Sequence, residues 1–321
     1  MKTDSYIQKK VLSMVNRFYL GAFFVFLSAS GFAMIPIFAT FAYRAEVSVF
    51  TLLFLRFLLA AVFFLLYLFA GKKHRWKSGS KIPYFPLFIL GGVLYTFQSL
   101  TFFSSVKYIP SALASLLLYT FPIFVALLSY LIDKERLTVH ILASIALSIG
   151  GLALAMGKIV GEINPLGVVL ALSAAVCYSL YIVIGNRVVK QLSPVVTTTF
   201  VTVFATVSFF FIGLSTGSLT FRMSGQGWAA VAATALVCTI LSLVTFFRGL
   251  ELIGSTKASI LSMLEPVVTI GMAFLLLGER LTWLQMLGAC AVISGAIWIV
   301  AGQGRQKQQP RDGQQPDTFM P

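Results

Sequence analysis

The sequence has few of the residues on which enzymes and metal proteins depend. Its 321 residues include two histidines, three cysteines and ten acidic residues. His74 and His140 lie far apart, and Cys177, Cys238 and Cys290 lie singly in apolar runs with no histidine cluster nearby. No metal site or catalytic cluster is predicted from this composition. A phosphate-binding glycine-rich loop is also missing, which argues against pumping driven directly by ATP. We therefore expect neither an enzyme nor a cofactor.

Charged residues are scarce as well, at 11% of the sequence, whereas hydrophobic residues make up 58%. A water-soluble protein of this length needs more polar surface, so the predicted surroundings are a lipid bilayer. A net charge of +14 in a soluble protein would suggest a nucleic-acid partner. Here the basic residues lie in short segments between apolar runs, a pattern that orients membrane proteins, and no nucleic-acid partner is predicted.

The apolar runs have the length of membrane-spanning helices. A helix rises about 1.5 Å per residue and the hydrocarbon core is about 30 Å thick, so that one crossing needs about 20 residues. Ten segments qualify. They are predicted at residues 18–40, 49–70, 84–106, 111–132, 139–156, 166–186, 195–215, 228–247, 258–277 and 283–301.

Basic residues between these segments predict the orientation. With a cytoplasmic amino terminus, 17 lysines and arginines fall on the cytoplasmic side and five on the other, while Arg56 and Arg248 lie within or at the edge of spans. This bias predicts a multi-pass protein of the plasma (inner) membrane with both termini in the cytoplasm. The segment 303–321 is rich in Gln, Pro, Gly and Asp, which predicts a disordered cytoplasmic tail.

The two halves of the chain repeat. Shifting the sequence by 144 residues aligns 102–157 with 246–301 without a gap, and 15 of the 56 aligned positions are identical. The segment KERLT falls on GERLT, and three matched pairs are Pro122 with Pro266, Ser115 with Ser259, and Glu135 with Glu279. The predicted organisation is a cytoplasmic segment 1–17, a first five-helix repeat 18–157, a second repeat 158–302, and the tail.

Because five is odd, the second repeat must cross the membrane in the opposite sense to the first. The predicted fold is therefore an all-α membrane protein of ten helices arranged as two inverted five-helix repeats. Such symmetry is characteristic of secondary transporters, in which two halves alternate about a site at their interface.

Three features resemble the EamA family of the drug/metabolite transporter superfamily. They are the two hairpins LLLYTFPIFVALLSYLIDKERLT and MLEPVVTIGMAFLLLGERLT, the segment FLRFLLA in the second span, and the layout of five plus five spans. The resemblance implies a metabolite carrier, often an exporter of amino acids or related compounds. It also implies a central cavity lined mainly by spans one, three, four, six, eight and nine. In one departure, Asp133 and Lys134 stand where the second hairpin has Leu277 and Gly278.

Glu265 is the principal candidate for a mechanistic role. It falls near the middle of the ninth span, where an ionised carboxylate is costly unless it is paired, hydrated or protonated. It is expected either to couple protons or to hold a substrate amine. The alternative is that it stabilises the fold as a hydrogen-bond or charge partner.

Three prolines and one arginine also lie inside spans. Pro122, Pro266 and Pro36 each remove a helical hydrogen bond, which predicts kinks that are either hinges or static bends. Arg56 is eight residues into the second span, too deep to be left alone in lipid. We expect it to pair with Glu265 or with helix-end carbonyls, and its place in FLRF favours a structural role.

Polar and aromatic residues of four spans are candidates for the wall of a substrate cavity: Tyr95, Thr96, Gln98, Ser115, Tyr119, Tyr178, Tyr181, Ser259 and Ser262. Ser259, Ser262 and Glu265 follow one helix face at intervals of three.

Together these features predict a secondary carrier of a small molecule, with protons as the candidate coupling ion. A channel and a membrane enzyme are the alternatives. Only Arg56 among the basic residues lies deep in a span, so neutral, zwitterionic or cationic substrates fit better than phosphorylated sugars. Transport direction and oligomeric state are left open by the sequence.

Overall fold

The structure, a computed structural model, describes residues 2–70, 82–157, 163–277 and 282–305, in which all the regular secondary structure is helical. Within these ranges ten helical segments are long and apolar enough to cross a membrane: Asn16–Arg44, Val49–Ala70, Tyr84–Ser105, Ser111–Asp133, Val139–Met156, Pro165–Gln191, Pro194–Ser215, Gly225–Ile253, Ser255–Leu276 and Trp283–Ala301. The predicted fold and number of spans are confirmed.

The ends of the chain differ from the predicted pattern. The first helix, Lys2–Phe32, begins well before the first predicted span. The last helix, Trp283–Arg305, continues three residues into the segment predicted to be disordered. The rest of that tail lies outside the described residues, as do Glu279 and Arg280 of the second hairpin.

Ten is an even number, so both ends of the array lie on one side, which is called the terminal face here. The other side is called the opposite face. The fourth span runs from the opposite face to the terminal face, and the ninth span runs in the reverse direction.

The fourth span is broken near its middle. It consists of the helices Ser111–Leu118 and Phe121–Asp133, with Pro122 in the first turn of the second helix. A proline has no N–H to donate to the preceding turn. At the break the Thr120 amide instead donates to the Leu117 carbonyl at 3.2 Å, which tightens the turn.

The ninth span is broken at the matching position. Its helices are Ser255–Ser262 and Leu264–Leu277, with Pro266 in the first turn of the second helix. The Met263 amide donates to the Ile260 carbonyl at 3.1 Å, the same tightened turn as in the fourth span. The predicted kinks at both prolines are present.

The first span is also divided. The helix Lys2–Phe32 is followed by Ile35–Arg44, which has Pro36 in its first turn. The sixth span, its counterpart in the second repeat, is a single helix, Pro165–Gln191. The first span is therefore kinked as expected, without a matching kink in the second repeat.

Two other spans contain a widened helical turn. The third span has π-helical bonding over Ile89–Tyr95, and the eighth has it over Thr234–Leu241. These stretches lie about one repeat shift apart; the first ends at Tyr95 and the second ends two residues before Leu243, and both residues line the central cavity described below. Wide turns of this kind are frequent at functional sites.

The spans pack in pairs that follow the repeat. The second span packs on the seventh and the fifth on the tenth, while the first packs on the eighth and the third on the sixth. The fifth and tenth spans are in tight contact at Gly151 and Gly288, where a Cβ on either residue would collide with the backbone of the other helix. Small residues at such contacts are the usual means of close helix packing in membranes.

Candidate functional site

The broken spans surround a cavity with two adjoining lobes. The central lobe encloses about 620 Å³ of space not filled by protein atoms and the opposite-face lobe about 880 Å³, and both volumes include solvent-open space. The two lobes share six wall residues: Ile35, Tyr95, Gln98, Leu118, Tyr119 and Glu265.

Glu265 lies at the meeting point of the lobes. It is ten residues into the ninth span, a depth of about 15 Å and so close to the middle of the hydrocarbon core. Its carboxylate lies beside the Tyr119 hydroxyl, within reach of a hydrogen bond, and near Tyr178. Neither of the two ion pairs among the described residues includes Glu265. The carboxylate is therefore open to a ligand or a proton.

Aromatic rings form a continuous wall beside Glu265. The Tyr178 ring lies 4.7 Å from that of Phe121 and 6.1 Å from that of Tyr181, and Tyr181 lies 5.8 Å from Tyr95. Such rings pack against apolar groups and attract cations over their faces. The Tyr181 hydroxyl is buried and has no hydrogen-bond partner among the described residues.

Arg56 is buried, as predicted, but its partner is different from either expected one. Its guanidinium donates a hydrogen bond to the Tyr95 hydroxyl and lies 4.7 Å from the centre of the Phe57 ring. The expected pairing with Glu265 or with helix-end carbonyls is not found among the described residues. Both charged residues line the opposite-face lobe without forming an ion pair with each other.

The remaining predicted wall residues divide into two groups. Gln98 lines both lobes and Ser115 lines the opposite-face lobe. Ser259 and Ser262 line neither lobe, because both are buried and donate to carbonyls of their own helix at 2.8 and 2.9 Å. Thr96 likewise bonds to a backbone carbonyl of its own span. Ser and Thr side chains in helices readily make this local bond, so a shared helix face did not suffice to place them in the cavity.

The sequence did not predict the apolar wall residues of the central lobe: Phe32, Ile35, Leu118, Phe121, Leu243 and Phe246. Composition cannot separate an apolar cavity residue from one that faces lipid. A usable signal was the position of Ile35 and Phe121 directly before Pro36 and Pro122. Phe121 also aligns with Glu265 in the repeat.

The terminal side of the cavity is bounded by polar contacts between the two repeats. The Ser129 and Ser255 hydroxyls lie 2.9 Å apart, and the Thr256 hydroxyl donates to a Glu135 carboxylate oxygen at 2.7 Å. Lys134 lies between Ser129 and Glu135 in the sequence and has a left-handed backbone with φ of 56°. Glycine adopts this conformation readily, and the residue aligned with Lys134 in the second hairpin is Gly278.

An ion pair adds to these contacts. Arg187 at the end of the sixth span donates to Asp133 at 2.9 Å and to the Ile132 carbonyl at 3.0 Å. We call this set of six residues the terminal contact: Ser129, Asp133, Glu135, Arg187, Ser255 and Thr256. On the other side, the opposite-face lobe extends to Tyr43, Leu52 and Phe103 near the ends of the first three spans. The cavity therefore approaches the opposite face and ends before the terminal face.

A central cavity between two inverted five-helix halves defines a class of integral membrane transporters. Residues 19–157 and 165–301 each match the model of the EamA-like transporter family, and the chain belongs to that family. The resemblance predicted from the hairpins is confirmed.

Relatives of similar length are also named as transporters. The chain is 30% identical to the uncharacterized transporter YyaM of Bacillus subtilis, over 75% of this chain and 80% of that protein. It is 25% identical to the uncharacterized transporter YcbK of the same organism, over 92% of this chain and 96% of the relative. A protein crystal structure matches with a TM-score of 0.74 at 18% identity, over 90% of this chain and 99% of that one, which shows the common fold.

Proposed function

We propose that this transporter is a secondary carrier that exports small amphipathic metabolites, such as amino acids or related compounds, by alternating access. The inverted repeats and a cavity that approaches only one face support this mechanism, since a carrier exposes its site to one side at a time. Substrates would bind in the central lobe against the aromatic wall. The protein is not an enzyme in this proposal.

The charge bias supports an orientation in the plasma (inner) membrane with cytoplasmic termini. Of the lysines and arginines outside the spans, 17 belong to the terminal side and five to the opposite side, as expected of a protein whose termini are cytoplasmic. The terminal contact then faces the cytoplasm, and the cavity faces outward in this conformation.

The observation that carries the proposal is the unpaired carboxylate of Glu265 at mid-membrane. An ionised carboxylate there is unfavourable without a counter-charge, which a proton or a substrate amine can supply. Tyr119, Tyr178 and Cys238 are titratable groups near it, and Arg56 is the charged group in the adjoining lobe. If proton and amine compete for Glu265, protons moving inward drive substrate outward.

The proposal can be tested with the full-length protein in proteoliposomes. Uptake and efflux of labelled amino acids and other metabolites are measured with and without a pH gradient for the parent and for Glu265→Gln. Glu46→Gln serves as control because Glu46 is exposed and outside both lobes. We expect gradient-driven flux in the parent and the control but not in Glu265→Gln.

Normal transport with an unchanged pH response in Glu265→Gln would contradict the coupling role. A parent without gradient-dependent or exchange flux across the panel would contradict the carrier itself. Faster flux of the labelled compound when unlabelled compound is present on the far side of the membrane would distinguish a carrier from a channel. Recovery of the labelled compound in chemically unchanged form after transport would distinguish a carrier from a membrane enzyme.

A further inference from the structure

Arg56 is a buried cation whose hydrogen-bonding capacity is largely unused. Its exposed fraction is 4%, and its Nε atom is buried with no hydrogen-bond partner among the described residues. The Tyr95 hydroxyl accepts one hydrogen bond from the guanidinium, and the Phe57 ring lies beside it. A guanidinium has five N–H donors in a planar fork, so the groups around Arg56 satisfy only part of it.

Arg56 forms no ion pair with any of the described residues. The two ion pairs there are Arg187 with Asp133 and Arg248 with Glu251, both near the terminal face. Glu265 lines the same lobe as Arg56 but is not paired with it. A buried charge without a partner is strongly unfavourable. A purely structural role does not account for an arginine in these surroundings. Binding of an anionic ligand does account for it, because the ligand would supply the missing negative charge.

Tyr95 links Arg56 to the central lobe. Its hydroxyl accepts from Arg56, and its ring lies 5.8 Å from that of Tyr181 and lines both lobes. The Tyr181 hydroxyl is a second buried group without a partner in the described structure. Tyr95 therefore contacts two residues that have a buried polar atom without a partner, Arg56 and Tyr181. It also lines both lobes together with Glu265.

We propose that Arg56 binds the carboxylate of the transported molecule while Glu265 binds its ammonium group, so that the substrate is a zwitterion with an apolar side group. The guanidinium fork matches a carboxylate in charge and geometry. The apolar group packs against Phe121 and Tyr178 in the central lobe. Tyr95 is a positioning residue that holds the fork toward the lobe. This assignment rests on the proposed function and names the chemical class of its substrate.

The test compares binding of matched compounds to the purified full-length protein by thermal stabilisation over a concentration series. One set is phenylalanine, phenethylamine without the carboxylate, and 3-phenylpropionate without the amine. A second set is leucine, isopentylamine and 4-methylpentanoate. The variants are Arg56→Gln, Arg56→Lys and Tyr95→Phe, with Arg44→Gln as the control because Arg44 is exposed and lines neither lobe.

We expect the parent and Arg44→Gln to bind at least one zwitterion about tenfold or more tightly than its amine, as is typical of a charge-assisted hydrogen bond. Arg56→Gln should bind the two alike. Arg56→Lys retains the charge but lacks the planar fork, so its preference for zwitterion over amine should be intermediate. If Arg56→Gln does not fold, Arg56→Lys provides the test of the assignment. Tyr95→Phe should weaken zwitterion binding more than amine binding.

Equal affinities of zwitterion and amine in the parent, or undiminished discrimination in the Arg56 variants, would overturn the assignment. A parent that binds neither zwitterion would overturn it too. The carrier proposal is judged separately by flux in proteoliposomes, and it survives if amines are transported and Arg56 has no influence on their selection.

Discussion

The terminal and opposite faces of this transporter are formed by aligned segments of the two repeats, but they carry different side chains. At the terminal face Thr256 donates to Glu135, whereas the residue aligned with Thr256 is Ala112, which has no hydroxyl. Ser129, which contacts the start of the ninth span, aligns with Ala273. The repeats thus share a backbone plan, and side chains at a few positions decide which face is held together. An inverted repeat therefore need not give two faces of equal stability.

The largest effect should come from fixing the terminal contact covalently. Ser129→Cys with Ser255→Cys, in a background with the three native cysteines replaced by alanine, should form a disulfide because the two hydroxyls lie 2.9 Å apart. Oxidation should abolish transport, since the terminal face can no longer open, and a reductant should restore it. Transport by the oxidised double variant at the rate of the single variants would show that this face does not need to open.

Reagent access should differ strongly between the two sides of the cavity. In the same cysteine-free background, Ser115→Cys lies in the wall of the opposite-face lobe, whereas Ser129→Cys is buried in the terminal contact. A membrane-impermeant maleimide added from the opposite face should label the first rapidly and the second scarcely, as measured by gel shift. Equal rates would contradict the asymmetry of the two faces.

Removal of one hydroxyl should loosen the terminal contact by a moderate amount. Thr256→Val keeps the side-chain shape but loses the hydrogen bond to the Glu135 carboxylate. Hydrogen bonds to charged groups contribute about 1.5–3 kcal/mol, and the contact is only partly buried, so the lower end, roughly a tenfold shift toward the open terminal face, is expected. The measurement is the rate at which a membrane-impermeant maleimide added from the terminal face labels Ser129→Cys, and this rate should be higher in the variant. Thr216→Val, exposed at the opposite face, should leave the labelling rate unchanged.

The smallest effect should come from the ion pair. Arg187→Gln breaks the contact with Asp133, but the Arg187 side chain is 50% exposed, and exposed ion pairs contribute at most about 1 kcal/mol. We expect at most a roughly fivefold change in the same labelling rate. High salt should reproduce part of this change in the parent. An effect larger than that of Thr256→Val would mean that charge, rather than the buried hydroxyls, holds the terminal face closed.

Much of the fold followed from local pattern. Segment length and hydropathy predicted each span, because a helix in lipid must satisfy its backbone internally over a fixed thickness. The prolines predicted the breaks at Pro122 and Pro266, since the missing donor is a property of the residue itself. The widened turns in the third and eighth spans had no such marker.

The candidate site was predicted less completely. Glu265, Tyr119 and Tyr178 were named from depth and polarity, and the structure brings them together around the cavity. Ser115 and Ser259 occupy the same position in the two repeats, but only Ser115 lines the cavity. Helix rotation and neighbouring spans determine which of two equivalent hydroxyls meets the cavity, and neither can be read from spacing along one helix.

Ten crossings, their inverted repetition and the depth of Glu265 can be read from the chain alone, because each depends on residues close together in the sequence or on the similarity of one half to the other. The contact of Arg56 with Tyr95 rather than Glu265, and the polar contacts that join the terminal face, follow from the three-dimensional arrangement of the helices. Those pairings join distant spans, and their geometry depends on how the helices pack and turn toward each other.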